Sequence, residues 1–377
     1  MKNIKPVLSV CLLSSMLMGA QVISPGLSQL ASFYHVSESA VSLSVTLPYL
    51  VSIPFTLISG RLPEFFSLKK LLLVGASIIC ITGLMPYFIS SYSCILFIRA
   101  FMGVGLGILF SLTPAMAPAY YPDGTLRNFT IGMQSAWAGS GGFVFNILSG
   151  HLANSRIQNI YLVYFLCIAF TLIVCLILPE APFASSSPEK LSSIPGFSLL
   201  IGFITFLFLA AQMTLTLNIS ALVSSFSLGG TVEAGYATSA YSAAAFLTGC
   251  FYTVISKYLK NSAVIFACLL SAIGMLLCIL SRQLAPIYIG SALLGVGLSL
   301  YMPTFVNIIL HTAKSEAVSS CIAIMMTGSS IGQSFSAVLI NPIAEIWGPQ
   351  LSFRFYTALV LLLLVLLLSL TLLKRQK

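Results

Sequence analysis

Long apolar runs, separated by short polar punctuation, occupy nearly the whole chain. They fall at 6–30, 41–59, 71–90, 95–118, 128–152, 160–178, 197–224, 234–255, 262–281, 285–310, 317–341 and 350–373. Roughly 20 apolar residues wound as an α-helix cross the hydrocarbon core of a bilayer. Within lipid a helix satisfies every backbone polar group inside one segment. The pattern therefore predicts an all-α polytopic membrane protein with twelve transmembrane helices. Turn residues mark several of the breaks, as in Tyr121-Pro122-Asp123-Gly124, Leu228-Gly229-Gly230 and Trp347-Gly348-Pro349. The longest connector, 179–195, is polar, rich in Pro and Ser, and separates six runs from six. We expect an N-terminal six-helix bundle over 1–178, a linker over 179–195 and a C-terminal six-helix bundle over 196–377.

Composition supports lipid as the solvent. Apolar residues make up 58% of the 377 and charged residues 7%, against about a quarter charged in a soluble domain. The net charge of +9 is scattered between apolar runs, without the clustered footprint of a nucleic-acid binder. Its distribution sets topology instead. With the N-terminus cytoplasmic, thirteen Lys and Arg fall on the inner side, three (Arg156, Arg282, Arg354) on the outer side, and Arg99 within a run. The positive-inside rule then puts both termini in the cytoplasm and the protein in a plasma or inner membrane. Lys2 and Lys5 followed by an apolar stretch imitate a signal peptide, but that stretch runs on toward Leu30, so an uncleaved first span is expected.

Chemistry is sparse. The nine cysteines lie in or beside apolar runs, with no Cys-x-x-Cys pair, and read as buried hydrophobes. We expect no metal and no cofactor. All eight acids, Glu38, Glu64, Asp123, Glu180, Glu189, Glu233, Glu316 and Glu345, fall in loops or at helix ends. No span core holds the carboxylate that commonly carries a proton through a transporter. His35, His151 and His311 sit near span ends, and no nucleophile–base set has supporting spacing, so no enzyme is expected.

Internal repeats are visible. Gly103-Val104-Gly105-Leu106-Gly107 in the fourth run matches Gly295-Val296-Gly297-Leu298-Ser299 in the tenth at an offset of 192. Ala20-Gln21 in the first matches Ala211-Gln212 in the seventh at 191. Small-residue stretches recur in the fifth and eleventh runs, Gly139-Ser140-Gly141-Gly142 and Gly328-Ser329-Ser330-Ile331-Gly332. The halves read as copies of one six-helix unit, a frequent transporter device.

Between the second and third runs stands Gly60-Arg61-Leu62-Pro63-Glu64-Phe65-Phe66-Ser67-Leu68-Lys69-Lys70, and the fourth run carries Arg99-x-x-x-Gly103-x-Gly105. With the 6+6 layout, these elements resemble the major facilitator superfamily over essentially the whole chain. Glu64 stands where the family's loop motif has Asp, and Ser67 replaces its second glycine. The fifth run resembles a glycine-rich element of antiporter branches but lacks its Gly-Pro step. The resemblance implies the major facilitator fold, with Gly60, Arg61, Glu64, Lys69 and Lys70 in a cytoplasmic gating loop. It also implies a pathway lined by the first, fourth, seventh and tenth spans.

Arg99 has two readings: it snorkels to the nearby loop, or it points inward to carbonyls, Gln21 or substrate. The cavity candidates are Gln21, Arg99, Gln212, Asn218, Tyr301, Asn307, Gln134 and Trp137, with Ser14, Ser24, Ser111, Thr113, Thr216, Asn146, Tyr241 and Gln333 as further polar groups. Gly103, Gly105, Gly107, Gly139 and Gly142 are expected to let helices approach closely. Apart from Arg99 this set is uncharged and suits a neutral, zwitterionic, anionic or amphipathic solute. The sequence therefore reads as a permease that works as a monomer in the bilayer, with efflux of a small organic compound favoured. Uptake of a small polar nutrient, or facilitated passage of one, is the rival within transport. A membrane-embedded sensor is the rival outside it.

Overall fold

In the computed structural model, residues 4–59, 62–121, 125–180, 196–313, 318–348 and 350–375 are described, and they form helices joined by short loops. The first span, Ile4–Tyr34, is two α-helices, Ile4–Met16 and Leu27–Tyr34, joined by a 3₁₀ stretch, Gly19–Gly26. Glycines at both edges and Pro25, which lacks an N–H, explain the break. There follow Glu38–Ser59, Leu68–Leu84 (extended by a 3₁₀ turn, Met85–Phe88), Tyr92–Tyr120 and Thr125–Ser155. A 3₁₀ segment, Ile157–Val163, leads into Tyr164–Ile177. The second half comprises Gly196–Ser225, Thr231–Leu259, Ala263–Leu280, Leu284–Thr312, Val318–Trp347 and Leu351–Arg375. These are the twelve expected spans, named below by ordinal. Most of the linker, 181–195, lies outside the described residues.

Ten stretches are long and apolar enough to cross a membrane on composition alone. The fifth and eighth helices miss that measure for a structural reason: they pack on each other across the two halves through small and polar residues. A β-carbon at Gly139 would lie 3.0 Å from the Phe246 nitrogen, and one at Gly150 would lie 2.7 Å from the Thr231 oxygen. The Ser239 hydroxyl donates to the Phe143 carbonyl at 3.2 Å. Their hydropathy is low because close backbone approach takes small residues.

The repeat is realised in three dimensions. A β-carbon at Gly105 would meet the Gly75 oxygen at 2.6 Å, and one at Gly297 would meet the Ala267 oxygen at 2.8 Å. Both partners are related by the same 192-residue offset as the glycines themselves. Gly103 seats against the Pro48 carbonyl as Gly295 seats against that of Tyr241, and Gly107 lies on Ser52 and Phe55. Each half has its own apolar core, one around Met16, Tyr49, Leu109 and Tyr164, the other around Phe208, Met275, Tyr301 and Phe355. Large apolar side chains such as Phe88, Phe97, Leu176 and Leu367 face outward, as lipid requires. Cys94, Cys175 and Cys250 share that outer surface, which corrects the expectation that all nine are buried: a small apolar side chain is as soluble in lipid as in a core.

The halves are latched at the end of the bundle away from both termini, here the distal end. Hydrogen bonds between the halves run from mid-depth to that end. The Ser28 amide donates to Ser220 Oγ (3.2 Å) and the Ser220 hydroxyl to Gln29 Oε1 (2.7 Å). Asn341 Nδ2 donates to Ser39 Oγ (3.0 Å), and the Thr231 hydroxyl to the Gly150 carbonyl (2.9 Å). Ser39 and Thr231 are themselves 192 residues apart, so these last two bonds occupy equivalent places in the repeat.

Candidate functional site

The break in the first span frees carbonyl oxygens inside the N-terminal bundle, and Arg99 takes that of Ala20. It is wholly buried and does not snorkel. Its Nε donates to the Ser44 carbonyl (2.7 Å), Nη1 to the Tyr164 hydroxyl (2.6 Å) and Nη2 to the Ala20 carbonyl. Tyr164 in turn donates to the Gly19 carbonyl (2.6 Å). A planar guanidinium serves three divergent acceptors at once, which an ammonium cannot. Arg99 is the only charged residue among the described ones that is fully buried. It ties the fourth span to the first, second and sixth within one half.

Beside the break lies an enclosed polar cavity lined by Gln21, Ser24, Asn146, Leu215, Thr216, Thr238 and Tyr241. It draws on the first and fifth spans of one half and the seventh and eighth of the other. Its volume of about 10 Å³ is the space of a single water molecule. Gln21 Nε2 donates to Tyr49 Oη at 3.0 Å and lies 3.8 Å from Met213 Sδ. Asn146 Nδ2 reaches Ser242 Oγ at 3.5 Å. The Ser24 hydroxyl is buried without a partner.

Gln21 and Gln212 do not form a pair across this cavity. Gln212 is buried in its own bundle, its Nε2 donating to Ser271 Oγ (3.0 Å) and the Leu294 carbonyl (3.2 Å). The offset explains the difference. The structural repeat is 192, so Gln21 corresponds to Met213 and Gln212 to Ala20. One residue of helix turns a side chain by about 100°, enough to take it from the interface into the bundle. Met213 and Tyr49, both in contact with the Gln21 amide, escaped sequence reading. Adding 192 to Gln21 and to Tyr49 (which gives Tyr241) would have found the arrangement.

The other candidates are dispersed. Asn218, at the distal side, donates to the Thr214 carbonyl (2.9 Å) and accepts from Arg354 Nη1 (2.8 Å). The same Nη1 meets Glu38 Oε2 of the opposite half at 3.0 Å. Tyr301 is buried in the C-terminal core, stacked on Phe208 with ring centroids 3.8 Å apart. Asn307 donates to the Tyr252 hydroxyl (3.0 Å). Trp137 packs near Val7, Cys11 and Tyr121, and its carbonyl accepts from Ser15 (3.1 Å). Gln134 is half-buried on the same helix. Gly142 lies against Ser242 of the eighth span.

Of the loop motif, Gly60, Arg61 and the Glu64 side chain lie outside the described residues. Ser67, which replaces the motif's second glycine, caps the third span by accepting the Lys70 amide at 3.3 Å. Lys69 and Lys70 follow in the first turn of that helix.

Comparison with known proteins agrees with this architecture. The family model described as Major Facilitator Superfamily matches residues 9–200 and again 198–377. No curated protein matches the chain. Among solved structures, the nucleoside transporter NupG is similar at 13% identity, with 100% of this chain and 99% of that chain covered and a TM-score of 0.76. A mutant of the same transporter gives 0.80 at 10% identity, each chain covered over 100%. A bacterial homolog of the human lysosomal transporter Spinster, inward-facing and unoccupied, gives 0.76 at 13% identity, covering 99% of this chain and 98% of that one.

Proposed function

The chain belongs to the major facilitator superfamily, and from that premise we propose that it carries a small organic solute across a cell membrane by alternating access, in the direction of export. The observation that carries this reading is the closed polar cavity between two equivalent halves, latched at the distal end and built from side chains of both. Rocking one half against the other about that cavity would expose it to each side in turn. With both termini cytoplasmic, as the charge distribution expects, the latched end is the outer one and the structure is an inward-facing or occluded state. Export rests on the likeness of the Gly60–Lys70 loop and the fifth-span glycines to exporters.

The described interior holds one buried charge, Arg99, and no buried carboxylate. This supports solute exchange or uncoupled passage over a proton carried at mid-membrane. The test is transport in proteoliposomes of known protein orientation, with and without an imposed pH gradient, across a panel of solutes. Movement faster in the export direction is expected. Movement that accumulates solute only in the import direction would refute export. A strict requirement for the pH gradient would refute the uncoupled reading.

A further inference from the structure

The repeat brings Gln21 and Met213 together on the line between the halves, with Ser28 beside Ser220. Tyr49 and Tyr241, again 192 apart, flank them. Two identical halves would present identical groups there. Here one half offers a primary amide and the other a thioether, so the centre is chemically two-sided. Several polar groups await a partner. Gln21 spends an N–H on Tyr49, and no described residue donates to its Oε1. Ser24 is 1% exposed and its hydroxyl is unpaired. The hydroxyls of Thr216 and Tyr241 line the same cavity and make no hydrogen bond among the described residues. Buried groups of this kind normally find a partner, from water or a ligand.

The cavity lining is uncharged. A cation there would be repelled by the nearby charge of Arg99, which is bonded to the carbonyl of Ala20, the residue before Gln21. An anion would meet no free cation, because Arg99 already serves protein acceptors with each of its three nitrogens. A cation is therefore disfavoured, and an anion finds no hydrogen-bonding counter-charge in the lining. A thioether and two phenol rings suit the flat, polarisable face of a ring. The amide and the hydroxyls suit an edge with both donors and acceptors.

Resting on the transport reading, we propose that the solute is an uncharged polar molecule bearing a planar unsaturated ring, of nucleoside-like chemistry, and that Gln21 and Met213 together determine specificity. Gln21 reads the polar edge, and Met213 covers the apolar face.

The test uses the full chain in proteoliposomes and nanodiscs with four probes: uridine, its 5′-monophosphate, tryptamine and glucose. Uridine is expected to bind and move best, and the anion, the cation and the sugar, which has no planar base, at least about tenfold less well, the scale of one net hydrogen bond or one buried charge. Gln21→Met is expected to cut uridine affinity about tenfold. The exchange Gln21→Met with Met213→Gln is expected to restore part of it, since it moves the amide across the axis. A purely structural role would give no such rescue.

Preference for a charged probe or for glucose overturns the substrate class and leaves the transport reading standing. Uridine binding untouched in Gln21→Met, or absence of rescue in the exchanged protein, overturns the specificity pair. Binding or movement of none of the probes overturns the substrate class. If cysteines placed at Ser39 and Asn341 also stay linkable under every condition, with no change of accessibility, the alternating-access reading falls as well.

Discussion

Replacing Arg99 with Met removes three hydrogen bonds while keeping most of the buried volume. Bonds to a charged group each contribute about 1.5–3 kcal/mol net, and the variant leaves the Ala20 carbonyl at the 3₁₀ break without its donor. Against this stands relief of the cost of burying a guanidinium. Measured removals of one member of a buried charged network cost about 3–5 kcal/mol, and we expect the same here. At about 2.1 cal/mol/K of unfolding entropy per residue, a chain of 377 residues shifts its Tm by about 1.3 °C per kcal/mol. The expected fall is therefore about 4–6 °C, read from the fluorescence of the two tryptophans during thermal unfolding in detergent. Arg99→Lys keeps the charge but cannot span three divergent acceptors, and should recover less than half of the loss. Tyr164→Phe removes one acceptor of Arg99 and the donor to Gly19, for about 1–3 kcal/mol. Combined with Arg99→Met it should cost less than the sum of the two, because both act on the same break. A Tm within 1 °C of the parent for Arg99→Met, or strict additivity in the double variant, would refute the idea that Arg99 holds the first span in shape.

Three further outcomes follow from the packing. Gly105→Leu lies within one half and Gly150→Leu between halves, so the first should lower Tm by several degrees. The second should leave each bundle folded but prop the distal latch open, seen as a longer spin-label distance between the second and eleventh spans. Glu38→Gln breaks the ion pair with Arg354, whose side chains are 42% and 20% exposed. Solvent screening limits the loss of stability to below about 1 kcal/mol, so the effect should appear as faster labelling of a cysteine at Ser39, with little change in Tm. Ser67→Ala removes the cap of the third span and should cost about 1 kcal/mol, while Ser67→Gly costs a few tenths, measured by thermal unfolding.

The sequence by itself determined the solvent, the number of spans and the existence of a repeat. These depend on composition and on a period that is local along the chain, and lipid leaves helix as the way to pair the backbone. The fifth and eighth spans show the limit of composition: they are helices of full length, yet too polar by hydropathy, because their environment is each other. Which polar residue faces which way was decided only by the tertiary structure. Helix orientation turns by about 100° per residue, so an offset of 191 in place of 192 was enough to pair Gln21 with Gln212 when its neighbour across the axis is Met213. Arg99 could not be placed from sequence either. Its acceptors belong to Ser44, Ala20 and Tyr164, which come within reach only when four helices pack around a break in the first.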